Sequence, residues 1–240
     1  MDLSIVIPVY EERDKIGRDI KAASEFLTNH HLAGEIIVVD DGSKDKTAET
    51  AKNIEVPADI SVKVIHYEPH RGKGHAVCIG VEQTKGRYVM FADSGGCVPY
   101  EDSLRGLELL EKGVCDIAHG SRKTAGCHIE KAQSLYRRIC SRIFRWFVIY
   151  YMKIPPELTD TQCGFKIYRG DIARELYGRC VTEGFAFDIE IIKRAQKEGY
   201  KIMEFPINWT CDRDSRLSPT RSSRYILSEL MIIKKVTVEK

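Results

Sequence analysis

Residues 88–92 form an unbroken apolar run, Tyr-Val-Met-Phe-Ala, that stops at Asp93-Ser94-Gly95-Gly96. A short run without polar alternation reads as a strand buried on both faces, the kind found in parallel sheets covered by helices. In open sheets of this type, ligands gather beyond the carboxyl ends of the strands. Asp93 would therefore stand at the mouth of a site, with Gly95 and Gly96 letting backbone approach a ligand. Taken alone, the same four residues also describe an ordinary strand-to-helix turn.

The pattern recurs along the first half. Residues 3–9, 35–39, 61–67, 87–93 and 115–120 read as strands. Residues 11–28, 45–51, 72–81 and 100–112 between them read as helices, with Ser43 offering a cap for the second. Strands alternating with helices, with polar residues at the strand ends, predict an α/β fold: a mostly parallel central sheet flanked by helices. A chain of 240 residues with 43% hydrophobic content can bury the core this needs. The net charge of only +2 excludes a global nucleic-acid signature, so no nucleic-acid partner is expected.

The second half changes character. Residues 129–154 carry Arg137, Arg138, Arg142 and Arg145 among Tyr136, Ile139, Ile143, Phe144, Trp146, Phe147, Ile149, Tyr150 and Tyr151. That mixture describes either a helix lying in a membrane interface or a core helix with solvated arginines. Pro155-Pro156 ends it. A strand at 165–168, helices at 171–177 and 187–197, and a strand at 201–207 follow. Residues 222–236 form an amphipathic helix that packs on the domain or lies on lipid. The chain thus divides into a domain at 1–217, with an interface helix at about 130–154, and a C-terminal amphipathic helix at 218–240.

The eight cysteines are scattered without a C-x-x-C pair, which suits a reducing compartment. The N-terminus runs straight into a strand pattern, so no signal peptide is expected. No apolar segment approaches the roughly 20 residues of a membrane span.

Two loops carry ligand chemistry. Asp40-Asp41-Gly42-Ser43 follows a strand, and a carboxylate there can accept from a base imide or ribose hydroxyls. Arg71-Gly72-Lys73-Gly74 opens a helix with backbone donors and a cation, which favour phosphate, although a plain glycine turn would look the same. It lacks the spacing of a Walker A loop.

Together with Ile5 to Glu12, Val38 to Thr47 and Gly120-Ser121-Arg122, these loops resemble the family 2 glycosyltransferases of GT-A fold. Asp160-Thr161-Gln162-Cys163-Gly164-Phe165-Lys166, Glu183 to Glu190, Pro206 to Thr210 and Ser215-Arg216-Leu217 narrow the likeness to the dolichyl- or polyprenyl-phosphate sugar transferases. Within that group the pattern resembles the dolichyl-phosphate β-glucosyltransferases, with the dolichyl-phosphate mannosyltransferases as relatives. The resemblance implies an inverting transfer of a hexose from a nucleotide sugar, UDP-glucose first, to a polyprenyl phosphate. It implies that Pro8, Tyr10, Glu12 and Asp41 hold base and ribose, with Lys73 at the diphosphate. Asp93 would lie at the diphosphate and its Mg2+ or Mn2+. Arg122, Arg137, Arg138 and Arg216 would grip the acceptor phosphate, and Asp160, Gln162 and Asp188 would shape the sugar pocket.

The chain departs from the family pattern at Glu11, where Asn is usual, and more seriously after Asp93. Gly95 replaces the second carboxylate of Asp-x-Asp, and Cys97 stands at a position often held by Gln. Hard divalent ions prefer oxygen ligands, so a site there is weakened. Asp102 could substitute only if the glycine turn folds back. Lys73 and the arginines could instead neutralise the diphosphate unaided.

A phosphate monoester with a second pKa of about 6 is already a nucleophile at neutral pH, so the reaction needs cations more than a general base. Arg71, Lys73, Arg122, Arg137, Arg138 and Arg216 are the expected supply. The lipid acceptor favours the interfacial reading of the aromatic helix and a place on the cytoplasmic face of a membrane, with or without a small anchoring subunit. GDP-mannose or a UDP-N-acetylhexosamine as donor, or a catalytically weak nucleotide-sugar-binding subunit, are the alternatives left open.

Overall fold

A computed structural model describes residues 1–131, 135–210 and 219–238; the side chains of 130, 131, 135–138, 140, 219–224 and 238 lie outside that description. Seven strands form one sheet: β1 (Leu3–Val9), β2 (Gly34–Asp40), β3 (Ser61–His66), β4 (Tyr88–Ala92), β5 (Ile117–Ser121), β7 (Phe165–Arg169) and β8 (Ile202–Pro206). Their spatial order is β3-β2-β1-β4-β7-β5-β8. All neighbours are parallel except β7, which runs antiparallel to both β4 and β5. Successive side chains in a strand point to opposite faces, so each apolar run feeds two cores. Ile5, Ile7, Ile36, Val38 and Met90 pack on one side with α1 (Arg13–Asn29) and α4 (Ser103–Glu111). Val6, Ile37, Val39, Val89 and Phe91 pack on the other with α3 (Lys73–Glu82), α6 (Gly170–Gly178) and α7 (Phe187–Glu198). The mostly parallel α/β sheet is as the sequence predicts.

Because β7 is reversed, its start lies at the edge where β1, β2, β4, β5 and β8 end. Residues 160–164, which lead into β7, therefore meet the loops after β2, β4 and β5.

Several sequence expectations shift. The second helix is α2 (Thr47–Lys52), and its cap position is Lys46 in a left-handed conformation, not Ser43. Ser43 instead donates through backbone and hydroxyl to Asp40 and accepts from the Glu11 amide at 2.6 Å. The expected strand at 201–207 is β8; beyond it lies an unexpected strand, β9 (Asn208–Thr210), which pairs in parallel with β6 (His128–Lys131) in a separate small sheet. The aromatic helix, α5 (Leu135–Met152), starts only after β6. It packs with α7 and with α8 (Pro219–Val238) through Val148, Met152, Ile189, Ile192, Leu230 and Ile233.

Asp102 ends a single 3-10 turn ahead of α4 and is buried. Its carboxylate accepts from the Asn208 amide at 2.6 Å and from Asn208 Nδ2 at 2.9 Å, tying α4 to β9. Asp102→Ala would strand the Asn208 donors, and we expect a loss of about 1–3 kcal/mol in urea-induced unfolding.

Candidate active site

Two adjacent carboxylates end β2, and they do different work. Asp40 is fully buried and braces its own loop through Ser43 and through His66 Nδ1 at 3.0 Å. Asp41 reaches across to the next loop, where Oδ1 accepts from the Arg71 amide at 2.7 Å and Oδ2 from the Gly72 amide at 2.8 Å. His70 Nδ1 lies 2.9 Å from Asp41 Oδ2, and the His70 ring stacks on Tyr10 at 4.1 Å. Burial and the nearby Asp41 push the Tyr67 phenol above its ordinary pKa. Glu12 donates its amide to Thr47 at 2.9 Å and pairs with Lys15 at 3.3 Å. Pro8 lies opposite Val39 in the sheet register. Pro8, Tyr10, Glu12 and Asp41 are thus collected at the ends of β1 and β2.

Asp41 positions the turn that opens α3. Gly72 has φ +130, and a Cβ there would fall 2.5 Å from the Glu183 carbonyl oxygen, so only glycine fits. The next residue, Lys73, places Nζ 2.5 Å from Asp93 Oδ1, over the rings of Phe91 and Phe187. Burial alone would favour the neutral amine, but Asp93 and Asp188 outweigh it and raise the Lys73 pKa. Asp93 Oδ1 is sealed from solvent while the side chain as a whole is 39% exposed, so the second oxygen faces outward. The Asp93 amide donates to the Gly164 carbonyl at 2.8 Å, and a Cβ on Gly164 would collide with the Asp93 carboxylate.

Behind this pair lies a second one. Lys166 is completely buried on β7, donates to the Thr161 carbonyl at 3.1 Å, and forms an ion pair with Asp188 at the head of α7. Burial raises the Asp188 pKa, with Lys166 and Lys73 opposing the shift.

The third pair joins the other half of the edge. Arg122, just beyond β5, grips Asp160 in a two-point fork, Nε to Oδ2 at 2.6 Å and Nη2 to Oδ1 at 2.7 Å. Burial pulls against both charges, yet the fork raises the Arg122 pKa and lowers that of Asp160. Nη1 takes no part in the fork, and the guanidinium lies 5.1 Å from the Trp209 ring centre. Glu204 accepts from the Asp160 amide at 2.6 Å and so orients the loop. Gln162 Nε2 is buried without a hydrogen-bond partner among the described residues. Arg137 and Arg138 fall in the helix at 135–152 with their side chains outside the description, and Arg216 lies outside the described residues.

The metal question turns on the loop after Asp93. Gly95 and Gly96 both have positive φ, +97 and +61. The Gly95 amide donates to Asp19 Oδ2 at 2.7 Å. Asp102 is engaged with Asn208 and cannot act as the substitute ligand. Among the described residues no three His, Cys, Asp or Glu side chains converge as a metal site. The donor set fits an ion that arrives with most of its ligands, with the outward oxygen of Asp93 as its one carboxylate.

Asp19 and Glu204 also lie at the site and were not singled out from the sequence, and Lys166 and Glu183, which belong to the quoted motifs, were given no role there. A carboxylate on the apolar stripe of α1 with Ile16, Ile20 and Ala23, and a lysine inside an apolar strand, were the available signals. Lys166→Met would leave Asp188 buried without its close partner, and we expect it to lower stability by about 3–5 kcal/mol in urea unfolding.

Comparison with known proteins accounts for this edge. Residues 4–177 match the family model "Glycosyl transferase family 2". The chain is 32% identical over 250 residues to the dolichyl-phosphate beta-glucosyltransferase of Homo sapiens, covering 97% of this chain and 74% of that protein. It is 31% identical over 242 residues to the protein of the same name from Dictyostelium discoideum, covering 97% and 73%. The glucosyl-3-phosphoglycerate synthase of M. tuberculosis superposes with a TM-score of 0.70 at 18% identity, covering 97% of this chain and 80% of that one. That synthase has been crystallised with Mn2+ and UDP. The sheet order is thus a GT-A fold, and the chain belongs to glycosyl transferase family 2.

Proposed function

We propose that this chain moves glucose from UDP-glucose to the phosphate of a dolichol-type polyprenol, inverting the anomeric centre. The observation that carries the reading is the Lys73–Asp93 pair at the head of α3, beside the Asp41 loop. A buried ammonium at a helix N-terminus faces the place where a leaving diphosphate gains charge. The names of the relatives, at about a third identity over 97% of the chain, support the same donor and acceptor.

In this reading Pro8, Tyr10, Glu12 and Asp41 flank uracil and ribose, and Lys73 meets the diphosphate. Asp188 and Gln162 border the sugar, with Asp160 holding the Arg122 fork beside it. Arg122 Nη1, with Arg137, Arg138 and Arg216, receives the acceptor phosphate. That phosphate is largely dianionic at neutral pH and attacks opposite the leaving group, so an α-linked donor gives a β-linked product.

Four cations of this edge each pair with a carboxylate: Lys73 with Asp93, Lys166 with Asp188, Arg122 with Asp160 and Arg71 with Glu183. A diphosphate brings negative charge beyond what these pairs balance. Asp93 would hold a Mg2+ or Mn2+ ion, and such an ion when bound supplies positive charge against the leaving group.

The acceptor lives in a bilayer, and a face of the protein suits one. Ile139, Ile143, Trp146 and Tyr150 recur at helical spacing on α5, and Trp146 is 61% exposed. Leu227, Met231 and Ile232 are exposed on the neighbouring α8, and Lys234 Nζ lies 4.0 Å from the Tyr151 ring centre. Apolar and aromatic side chains edged by Arg142, Lys234 and Lys235 describe a surface lying in the cytoplasmic headgroup layer. Among the described residues no helix is long and apolar enough to cross a membrane.

Incubation with UDP-glucose and a short polyprenyl phosphate should give lipid-extractable glucose, and GDP-mannose should give none. Chelation should abolish transfer, and Asp93→Asn should lower kcat/KM by about 100-fold or more. Chelator-resistant transfer would mean that the chain's own cations suffice; UDP binding without transfer from any donor would favour a binding subunit. Separately, the double change Ile143→Ser, Trp146→Ser should weaken co-sedimentation with phosphatidylcholine–phosphatidylserine vesicles roughly tenfold while sparing UDP binding. Undiminished sedimentation would remove this face from the membrane contact.

A further inference from the structure

The C-terminal helix reaches the donor site through one buried carboxylate. Glu229 lies on the inner face of α8 and is 3% exposed. Its oxygens accept from the Gly184 amide at 2.7 Å and the Ala186 amide at 3.2 Å. Those residues belong to the loop that leads into α7. A Cβ on Gly184 would collide with the Tyr225 ring and fall 2.7 Å from Glu229 Oε2, so α8 sits against bare backbone there. The upstream end of the loop is held by Glu190, fully buried, which accepts from the Val181 amide at 3.0 Å and the Thr182 amide at 2.8 Å.

Suspended between these two carboxylates, the loop forms a wall against the start of α3. The Glu183 carbonyl accepts from the His75 amide at 3.1 Å, and the Glu183 side chain pairs with Arg71. A Cβ on Gly74 would fall 2.8 Å from the Gly184 carbonyl oxygen and 2.9 Å from that of Thr182. Phe187, the first residue of α7, lies under the Lys73 ammonium at 5.9 Å. Residues 71–75 thus have Asp41 on one side and the 182–187 loop on the other.

We infer that Glu229 is a positioning residue for donor binding: through it α8 clasps the loop that holds Lys73 at the diphosphate. Glu229 acts on the loop through its backbone amides, with the Tyr225 hydroxyl as a further partner on its own helix. The inference rests on the UDP-sugar reading of the site above, and it makes the C-terminal helix part of the donor pocket as well as of the apolar face.

The test is UDP affinity by titration calorimetry on the full chain with Mn2+, alongside donor KM and kcat. Glu229→Ala should weaken UDP binding and raise donor KM by about tenfold, the scale seen when groups supporting a binding residue are removed, with kcat changed less than about twofold. Glu229→Gln keeps one acceptor oxygen and should restore most of the affinity. Gly184→Ala, which pushes from the opposite side of the contact, should weaken UDP as Glu229→Ala does. Ile233→Ala removes a buried apolar side chain of α8 one turn beyond Glu229 without touching the carboxylate–amide bonds; it should lower thermal stability yet leave UDP affinity unchanged. Wild-type affinity in Glu229→Ala, or an equal loss in Ile233→Ala, would overturn the inference and leave the functional reading standing. A wild-type chain that binds no UDP would overturn the functional reading and this inference with it.

Discussion

An ammonium cannot be placed under the edge of a sheet without a carboxylate beside it, and Lys73 has two acidic neighbours. Removing an ion from water costs several kcal/mol even after the surroundings relax, and Asp93 and Asp188 offset that cost. The three residues sit on different elements: Lys73 opens α3, Asp93 follows β4 and Asp188 lies in the first turn of α7. Satisfying one buried charge therefore fixes two helices and a strand end relative to one another. The same requirement repeats behind it at Lys166, whose hydrogen-bond partners among the described residues are Asp188 and the Thr161 carbonyl. Charge pairing at this edge is what sets the shape of the pocket, and the apolar cores on either face carry it.

The reversed strand makes the pairing feasible. Had β7 run parallel to its neighbours, residues 160–164 would lie at the opposite edge, some five residues or about 17 Å away. Reversal brings Asp160 to Arg122 and Gly164 to Asp93 in one step. It also explains why the loop needs a glycine at 164, since the Asp93 carboxylate occupies the volume of a side chain there. The specificity of the Asp160-to-Lys166 string thus has a local cause: one residue pairs with Arg122, one must be absent to admit Asp93, and one neutralises Asp188.

Much of this was legible in the sequence. Apolar runs marked β1, β2 and β4, the latter two ending in Asp40 and Asp93, because a strand buried on both faces has little room for polar residues until it emerges. Direction was not legible, since a period of two is the same read either way; β7 was seen as a strand but not as a reversed one. β6 was missed because His128-Ile-Glu-Lys holds a single apolar residue and its partner lies some 80 residues downstream, as the register of His128 with Asn208 shows. Ser43 looked like a helix cap by residue type, yet Asp40 and the Glu11 amide claim it first. Asp102 could have been a ligand only if the glycine turn folded back, and its carboxylate serves β9 instead.

The glycine turn after Asp93 can be understood in the same terms. In a loop bearing a second carboxylate, a divalent ion could draw the turn into shape by binding both ends of it. Here the turn is shaped from below, by Asp19 accepting the Gly95 amide and Arg18 donating to the Gly95 carbonyl at 3.3 Å. The turn, whose conformations at 95 and 96 a side chain would resist, is thereby tied to α1 at Gly95. An ion bound at Asp93 would have no loop to organise, and its contribution would narrow to charge. On the proposed reading the helix supplies shape and the ion would supply neutralisation, so the geometry around Asp93 does not depend on a second carboxylate at position 95.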